Sequence, residues 1–514
     1  MTTAKRVLER LRRAPDANLG DLEPTRYMNY DLVPLPPSRR TWTAWSFAGF
    51  FATININTVQ WQAGSSLISL GLSVWEALIV VIIAKVLMGL IAAFDGYSGG
   101  EWHIGFTVVS RSVFGIRGMY LPLIQRLFLC FIWFGVQSWL GGLFVQVILV
   151  ALFPSFGKLS NTFPASANMT TQQFIGFAVF MVLQLPLIYV PPEKTAIAFR
   201  YMNILSGTTM LVVTIWALAH AHGAGPLLTQ NSTLTTSNER GWAMIKGITT
   251  VIGSLAVSLS NSPDFSRFAK TPGAQVPGQM IGSTVIGTLV PLGGILSTAA
   301  CQKMYGTLLW NPAEIFTQWM TNDYSSASRV AAVFAAGGFL LSQMGINVVD
   351  NAWPGGFDLS GLVPQYINIR RGAYIASVIC IAINPWQLAN AQSTFINVLD
   401  AYSTFLGPLT GMYVADYWIV RRRKIKLTDL YHGPQQGRNL LLLAWRQPQG
   451  VCQLDRGVVF CSARFLCGDQ REDTGLNWCN GCLLPGISRG ICSVNHRPCC
   501  GQSGVPAGRS WTSR

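Results

Sequence analysis

In the stretch RLFLCFIWFGVQSWLGG, Arg126 to Gly142, a tryptophan and a glutamine stand four residues apart. On a helix that spacing puts Trp133 and Gln137 on one face, one above the other. The amide of Gln137 carries two donors and an acceptor oxygen, and in apolar surroundings these need partners. A planar solute with its own N–H and C=O groups, lying on the indole and hydrogen-bonded along its edge, satisfies both residues. A plainer arrangement also fits, in which Gln137 bonds a neighbouring helix and Trp133 packs.

The element that must hold this pair is a membrane span. Leu127 to Phe153 contains no charged residue, and about 27 residues rising about 1.5 Å each make roughly 40 Å of helix. The whole chain shares that character. Of its 514 residues 50% are hydrophobic and 11% charged, with mean hydropathy +0.35, whereas soluble domains carry about 25% charged residues. The net charge of +15 sits in short basic clusters between apolar runs, which is positive-inside topology and not a nucleic-acid footprint. The five histidines are scattered, and no metal-ligand cluster falls in the spans. The expectation is a non-enzyme without metal or cofactor.

Residues 1–41 read as a basic cytosolic arm without a cleavable signal peptide, and 42–425 as a core of ten spans. Span one, about Trp42 to Leu70, places Asn55, Asn57, Thr58 and Gln60 in mid-run. It reads as a broken helix whose freed backbone groups line a cavity. Span two, about Val74 to Ala93, reads as a conventional apolar helix, and span three is the opening stretch. Spans four and five cover about Phe174 to Val190 and Met202 to Ala219. Span six, about Ala243 to Ser262, is rich in Gly and Ser and reads as interrupted around Gly253 to Ser258. Spans seven to ten cover about Met280 to Ala300, Val330 to Asn347, Tyr374 to Asn384 and Phe395 to Val420, the last stopped by RRRKIK. Arg111, Arg117, Arg267, Lys270, Arg370 and Arg371 fall in loops assigned to the inside, and glycosylation sequons at Asn168 and Asn231 in loops assigned to the outside. Broken segments in places one and six of ten make two inverted five-span halves with a binding site between them, the organisation of a secondary transporter.

Eight blocks sharpen this reading: NYDLVPLPPSRRTW, WQAGSSLISLGLS, GGEWHIGF, RSVFGIRGMYLP, WFGVQSWLGG, NSPDFSRFAK, PQYINIRRG and GPLTGMYVADYWIVRRRKI. In this order, over about residues 29 to 432, they resemble the nucleobase:cation symporter-1 family, in particular its fungal uracil, allantoin and uridine permeases. The resemblance implies an all-α integral membrane protein, a LeuT-like 5+5 inverted repeat with broken helices 1 and 6, and normally twelve spans where about ten are present here. It implies that Trp133 stacks on the substrate and Gln137 bonds it. Asn351, the second Asn of an Asn-x-x-x-Asn pair, is then a third ligand, with Asn347 a lesser one. The backbone of the span-six break, Gly253 and Leu255, belongs to the same site, and Leu255 stands where one relative has a second stacking aromatic.

Sodium-using relatives place Ser and Thr hydroxyls immediately before the first of the two asparagines, where this chain has Met344, Gly345 and Ile346. Proton symport is therefore expected, with Asp350, Asp264 and His103 as candidate carriers. In the plainer alternative Asp264 caps structure through Arg267 and His103 is a loop residue. The implied function is import of a nucleobase or related planar lactam, of the uracil, allantoin, uridine or uric acid class, across a plasma membrane. Its partners are that solute, the proton and the lipid bilayer. The rivals are a same-fold transporter of an amino acid or vitamin, and a membrane nutrient sensor that does not transport.

The expected tail, 426–514, changes character from about residue 433, with nine Arg, no Lys, Tyr or Met, and eight of the 11 cysteines. Cys479 and Cys482 form a CxxC pair, but no second pair follows at zinc-ribbon spacing. A frame shift accounts for more. Read one base forward within the codon of Arg438, one permitted set of synonymous codons turns RNLLLLAWRQPQGVCQLDRGVV into Gly-Ile-Tyr-Tyr-Tyr-Trp-His-Gly-Val-Asn-Pro-Arg-Ala-Phe-Val-Ser-Trp-Ile-Val-Gly-Trp. That product is apolar and resembles how these permeases continue into spans eleven and twelve. Sequencing the transcript across the codon for Arg438 tests this: an extra or missing base is the expected result, and an intact frame makes the Cys- and Arg-rich tail genuine.

Overall fold

The computed structural model describes residues 25–192, 195–389, 397 and 406–431. The arm before residue 25, most of the first half of span ten, the Cys479 and Cys482 pair and the frame shift at Arg438 lie outside the described residues. Among those described, the regular structure is helical, with one isolated parallel bridge between Trp42 and Ala269.

Span one is two helices, α1 (Ala44–Asn55) and α2 (Thr58–Ser66). Between them Ile56 (φ −84°, ψ 78°) and Asn57 (φ −153°, ψ 168°) leave the helical region. Asn57 serves both sides of the gap. Its Oδ1 accepts the Gln60 N–H at 3.1 Å, and its Nδ2 donates to the Ile54 carbonyl at 2.6 Å. One amide thus satisfies an orphan donor of α2 and an orphan acceptor of α1, which explains a polar residue in the middle of an apolar run.

Helix α3 (Val74–Trp102) starts at a capping box formed by Ser73 and Glu76. It runs nine residues past its expected end and is not wholly apolar, for Lys85 and Asp95 are buried in it. The short α4 (Phe106–Gly118) follows. Helix α5 (Tyr120–Leu152) begins seven residues before the uncharged run and takes Arg126 inside. Next come α6 (Thr171–Tyr189) and α7 (Ala196–His220). Span six breaks as expected but more sharply, between α8 (Ser237–Gly253) and α9 (Ala256–Ser260), with Leu255 at φ −127°, ψ 31°. The five-residue α10 (Ser262–Ser266) continues it.

Helix α11 (Gln275–Tyr305) is continuous, α12 (Pro312–Asn322) is a short outer segment, and α13 (Ser326–Leu362) is the longest helix described. The reading that ended span eight at Asn347 is corrected here: the chain stays helical through a widened π turn, Asn347–Ala352, and on to Leu362. Pro354 explains the turn, because its ring supplies no N–H and crowds the carbonyl four residues back, a strain that a wider turn relieves. Helix α14 (Ile369–Ile379) and the stretch 406–415, extended by Asp416–Val420, complete the bundle. Among the described residues six helices are long and apolar enough to cross a membrane, and the halves of the broken ones are each too short alone.

Span one is packed on α11 by close backbone approaches. A Cβ at Gly64 of α2 would strike the Pro291 carbonyl of α11, and one at Gly294 of α11 would strike the Trp61 carbonyl. At one end of the bundle Trp42 ties span one to span six, its N–H donating to the Phe268 carbonyl and its carbonyl accepting the Lys270 N–H, each at 2.9 Å. Its ring stacks on Phe268 and Phe265, with centroids 5.4 and 6.4 Å away. Gly64→Ala is expected to cost about 1–3 kcal/mol through overpacking and to lower the melting temperature in detergent. Gly49→Ala, whose Cβ meets nothing within 4 Å, should leave it unchanged.

Candidate functional site

Thr58 is the first residue of α2, so its backbone N–H has no partner within the helix. It donates to Gln343 Oε1 of α13 at 3.2 Å. A backbone donor therefore fixes which way this amide lies, and Gln343 Nε2 must face α5. It donates there to Gln137 Oε1 at 2.7 Å and to the Gln137 carbonyl at 3.3 Å. Gln137 thus bonds a neighbouring helix, but only through its oxygens. Its Nε2 makes no hydrogen bond to the described residues. Trp133, one turn earlier, is 4% exposed and Gln137 3%.

A second chain of amides orients the other wall. Asn347 Nδ2 donates to Ser138 Oγ of α5 and to Gln184 Oε1 of α6, both at 2.8 Å, and Asn347 Oδ1 accepts Asn351 Nδ2 at 3.0 Å. Asn347 is thereby occupied in holding Asn351. The Oδ1 of Asn351 is buried and has no donor, a condition worth about 1–3 kcal/mol of lost hydrogen bonding. Between α5 and the π turn of α13 the side chains therefore offer one spare donor, on Gln137, and one spare acceptor, on Asn351. A cis-amide edge carries the complementary pair.

Asp350 joins the π turn to span six, accepting from Ser258 Oγ at 2.6 Å and Asn261 Nδ2 at 3.1 Å. Gly253 ends α8, and Leu255, buried, forms the break itself. Between them Ser254 accepts from Gln60 Nε2 of α2 at 2.9 Å, so the two breaks touch.

Asp264 and His103 stand in other surroundings. Asp264 pairs with Arg126 at 2.9 Å and accepts the Phe106 N–H at 2.9 Å, capping the first turn of α4. The expected partner, Arg267, instead donates to the Asp31 carbonyl at 2.7 Å. Arg126 is also gripped in two-pronged fashion by Asp358, at 2.8 and 2.5 Å, and lies 3.8 Å over the Phe106 ring. His103 terminates α3 in the left-handed region, its Nδ1 2.9 Å from the Arg267 carbonyl oxygen. Arg126 precedes Trp133 and Gln137 by seven and eleven residues, about 10 and 16 Å along the helix. This ionic cluster seals one end of the bundle.

At the other end lies a cavity of about 680 Å³, lined by Gln146, Asn168, Trp310 and Glu314 among others. Glu314 is water-accessible yet ringed by protein, as a group on a cavity wall must be, and this burial pushes its carboxyl up to about 7. Gln343, Gln184, Ser138 and Asp358 were missed by sequence reasoning. The available signal was an amide inside a long apolar run, which hydrocarbon obliges to find a partner.

Two broken helices that touch at their breaks, within a bundle of long apolar helices, are the organisation of a multi-pass membrane transporter. The fold agrees: the structure of Mhp1, a nucleobase-cation-symport-1 family transporter, in a closed conformation with bromovinylhydantoin bound, matches with a TM-score of 0.65 at 21% identity, over 86% of this chain and 93% of that one. Residues 34–438 match the family described as permease for cytosine/purines, uracil, thiamine and allantoin, and the chain belongs to that family, the nucleobase:cation symporter-1 transporters. The transporter aclS of Aspergillus oryzae is 40% identical over 80% of this chain and 76% of its own length. Nicotinamide riboside transporter 1 of Saccharomyces cerevisiae is 32% identical over 78% and 67%.

Arg126→Ala leaves Asp264 and Asp358 buried without their cation, so a loss of about 3–5 kcal/mol is expected. Arg126→Lys should restore little of it, because a lysine cannot make the two-pronged contact. Thermal unfolding of the purified variants measures both.

Proposed function

We propose that this permease imports a planar lactam of the uracil, allantoin, uridine or uric acid class by proton symport. Trp133 stacks on the ring, Gln137 Nε2 donates to a ring carbonyl, and Asn351 Oδ1 accepts from the adjacent ring N–H. The observation that carries this reading is that Gln137 Nε2 makes no hydrogen bond to the described residues and Asn351 Oδ1 is buried without a donor, on facing helices, while Gln343, Gln184 and Asn347 are spent on one another and on Ser138. Membership of a family whose description includes uracil and allantoin supports the substrate class. Proton coupling is supported by Met344, Gly345 and Ile346, which offer no side-chain oxygen for a sodium ion, and by Asp350 beside the pocket.

In this reading residues 42–425 are the transporter core, 1–41 a cytosolic arm and 426–514 an atypical tail, and the protein works at the plasma membrane. The family match stops at residue 438, close to where the composition changes. The Arg126 seal faces the cytosol, where the basic loops lie, and the 680 Å³ cavity opens outside. A cationic, vitamin-like cargo is the second reading, favoured by Glu314 on the cavity wall and by the nicotinamide riboside transporter among the relatives.

Uptake of labelled uracil and allantoin, challenged with excess uracil, allantoin, uric acid or thiamine, separates the two. Gln137→Ala and Asn351→Leu are each expected to abolish saturable uptake while the protein still reaches the membrane. Unchanged uptake affinity in either variant would remove that residue from the site, and binding without accumulation would mark a sensor.

A further inference from the structure

Lys85 lies in the middle of α3, with its side chain sealed from solvent. Its Nζ donates to Asn55 Oδ1 at 3.1 Å and to Gln60 Oε1. Asn55 is the last residue of α1 and Gln60 sits in the first turn of α2, so this one ammonium straddles the break in span one. Gln60 passes the contact on to Ser254 at the break in span six. Gly287 of α11 closes the fourth side, for a Cβ there would stand 2.8 Å from Asn55 Oδ1 and 3.0 Å from the Lys85 Cδ.

No carboxylate answers this charge. Among the described residues α1, α2, α9 and residues 275–286 carry no titratable side chain. The acids of α3 itself, Glu76, Asp95 and Glu101, stand nine, ten and sixteen residues away, about 14, 15 and 24 Å along the helix, and Glu101 is paired with Arg423. The other packed elements bring Glu239, Arg240 and Lys246 (α8), Asp264 (α10), Arg111 and Arg117 (α4), and Cys301, Lys303 and Tyr305 (α11). None of them hydrogen-bonds or pairs with Lys85. A buried charge held only by neutral oxygens is costly, and proteins carry one in a membrane span where its charge is used.

We infer that Lys85 is the group whose protonation couples proton movement to the opening and closing of the broken helices, an inference that rests on the proton-symport reading above. As an ammonium it holds α1, α2 and, through Gln60, α8 and α9 together with charge-assisted bonds. When the N–H bond breaks, the proton passes to water on the exposed side and the electron pair stays on nitrogen. The neutral amine binds both amide oxygens less strongly and frees the two halves of span one to shift. The solute feels this through α2, whose Thr58 N–H holds Gln343 and thereby Gln137. Linkage makes the effect mutual, so that solute at Gln137 also shifts the protonation of Lys85.

The test uses proteoliposomes with an imposed acid-outside gradient and, as probe, the member of the panel uracil, allantoin, uridine and thiamine that the wild type takes up. For one proton per solute, a gradient of about one pH unit supports about tenfold accumulation. Wild type is expected to reach it, Lys85→Met to stop near onefold, and Lys85→Arg to stay below that. Lys85→Arg, permanently charged, should still bind labelled solute in detergent but not exchange it across the membrane, because the breaks stay tied, whereas the uncharged Lys85→Met should exchange solute without concentrating it, which separates lost coupling from lost folding. Wild-type accumulation in Lys85→Met overturns the assignment and leaves proton symport standing. The same holds if only Asp350→Asn abolishes accumulation. A wild type that equilibrates the probe without concentrating it overturns proton symport and the role of Lys85 together. A difference titration needs no solute: the wild type should take up one more proton than Lys85→Met across the neutral range, and equal uptake overturns the inference.

Discussion

The backbone N–H of Thr58 must find an acceptor where water does not reach, and the geometry of the pocket follows from how it does so. The break at Ile56 and Asn57 releases this donor from the helix, and Gln343 receives it on an oxygen that can then face nowhere else. From that one commitment the amide nitrogen of Gln343 turns to Gln137, and the nitrogen of Gln137 turns away from it. The chain Ser138, Gln184, Asn347 and Asn351 does the same from the opposite side and ends on an unfilled oxygen. In a low-dielectric interior such chains are rigid when complete, because each unpaired member would lose a full hydrogen bond. One chain ends on the Trp133 helix itself, at Gln137, and the other ends on the facing π turn, at Asn351.

Sealing and opening are divided between the two ends of the bundle by different physics. At the Arg126 end two carboxylates share one guanidinium, and the Trp42, Phe265 and Phe268 rings cover the junction of spans one and six. An ionic cluster out of water is costly to break by halves and tolerates rearrangement as a unit. At the other end polar residues of loops and of α12 surround a cavity. The face of α5 that carries Trp133 and Gln137 lies between them, about two to three helical turns from Arg126. Span one reaches both regions, through Trp42 at the sealed end and through the Thr58 N–H at the Gln343 and Gln137 amides.

The sequence showed the spans with useful accuracy where hydrophobic length decides them. It showed both breaks, because Asn57 and Thr58 in an apolar run have no place in a continuous helix. It erred where a helix carries polar residues through its own interior: span eight was ended at Asn347, although the π turn takes the chain on to Leu362. Span two was read as conventional because a single lysine barely alters the hydropathy of so apolar a helix, yet Lys85 proves to be buried between the two breaks. Asp264 was paired with Arg267 because they are neighbours in the chain, whereas its partner in space is Arg126.

What the sequence by itself determined is therefore what depends on one residue and its near neighbours: membrane residence, the order of spans, the places where a helix must break, and the shared face of Trp133 and Gln137. Membership of the permease family was legible too, since its motifs are long local blocks. Only the tertiary structure decided which amides are spent on one another and which remain free. Hydrogen bonds between side chains hundreds of positions apart obey no periodicity, and a glutamine reads the same in sequence whether its nitrogen faces a partner or a vacant edge. The isolation of Lys85 is of the same kind, because a charge is unpaired only with respect to everything packed around it.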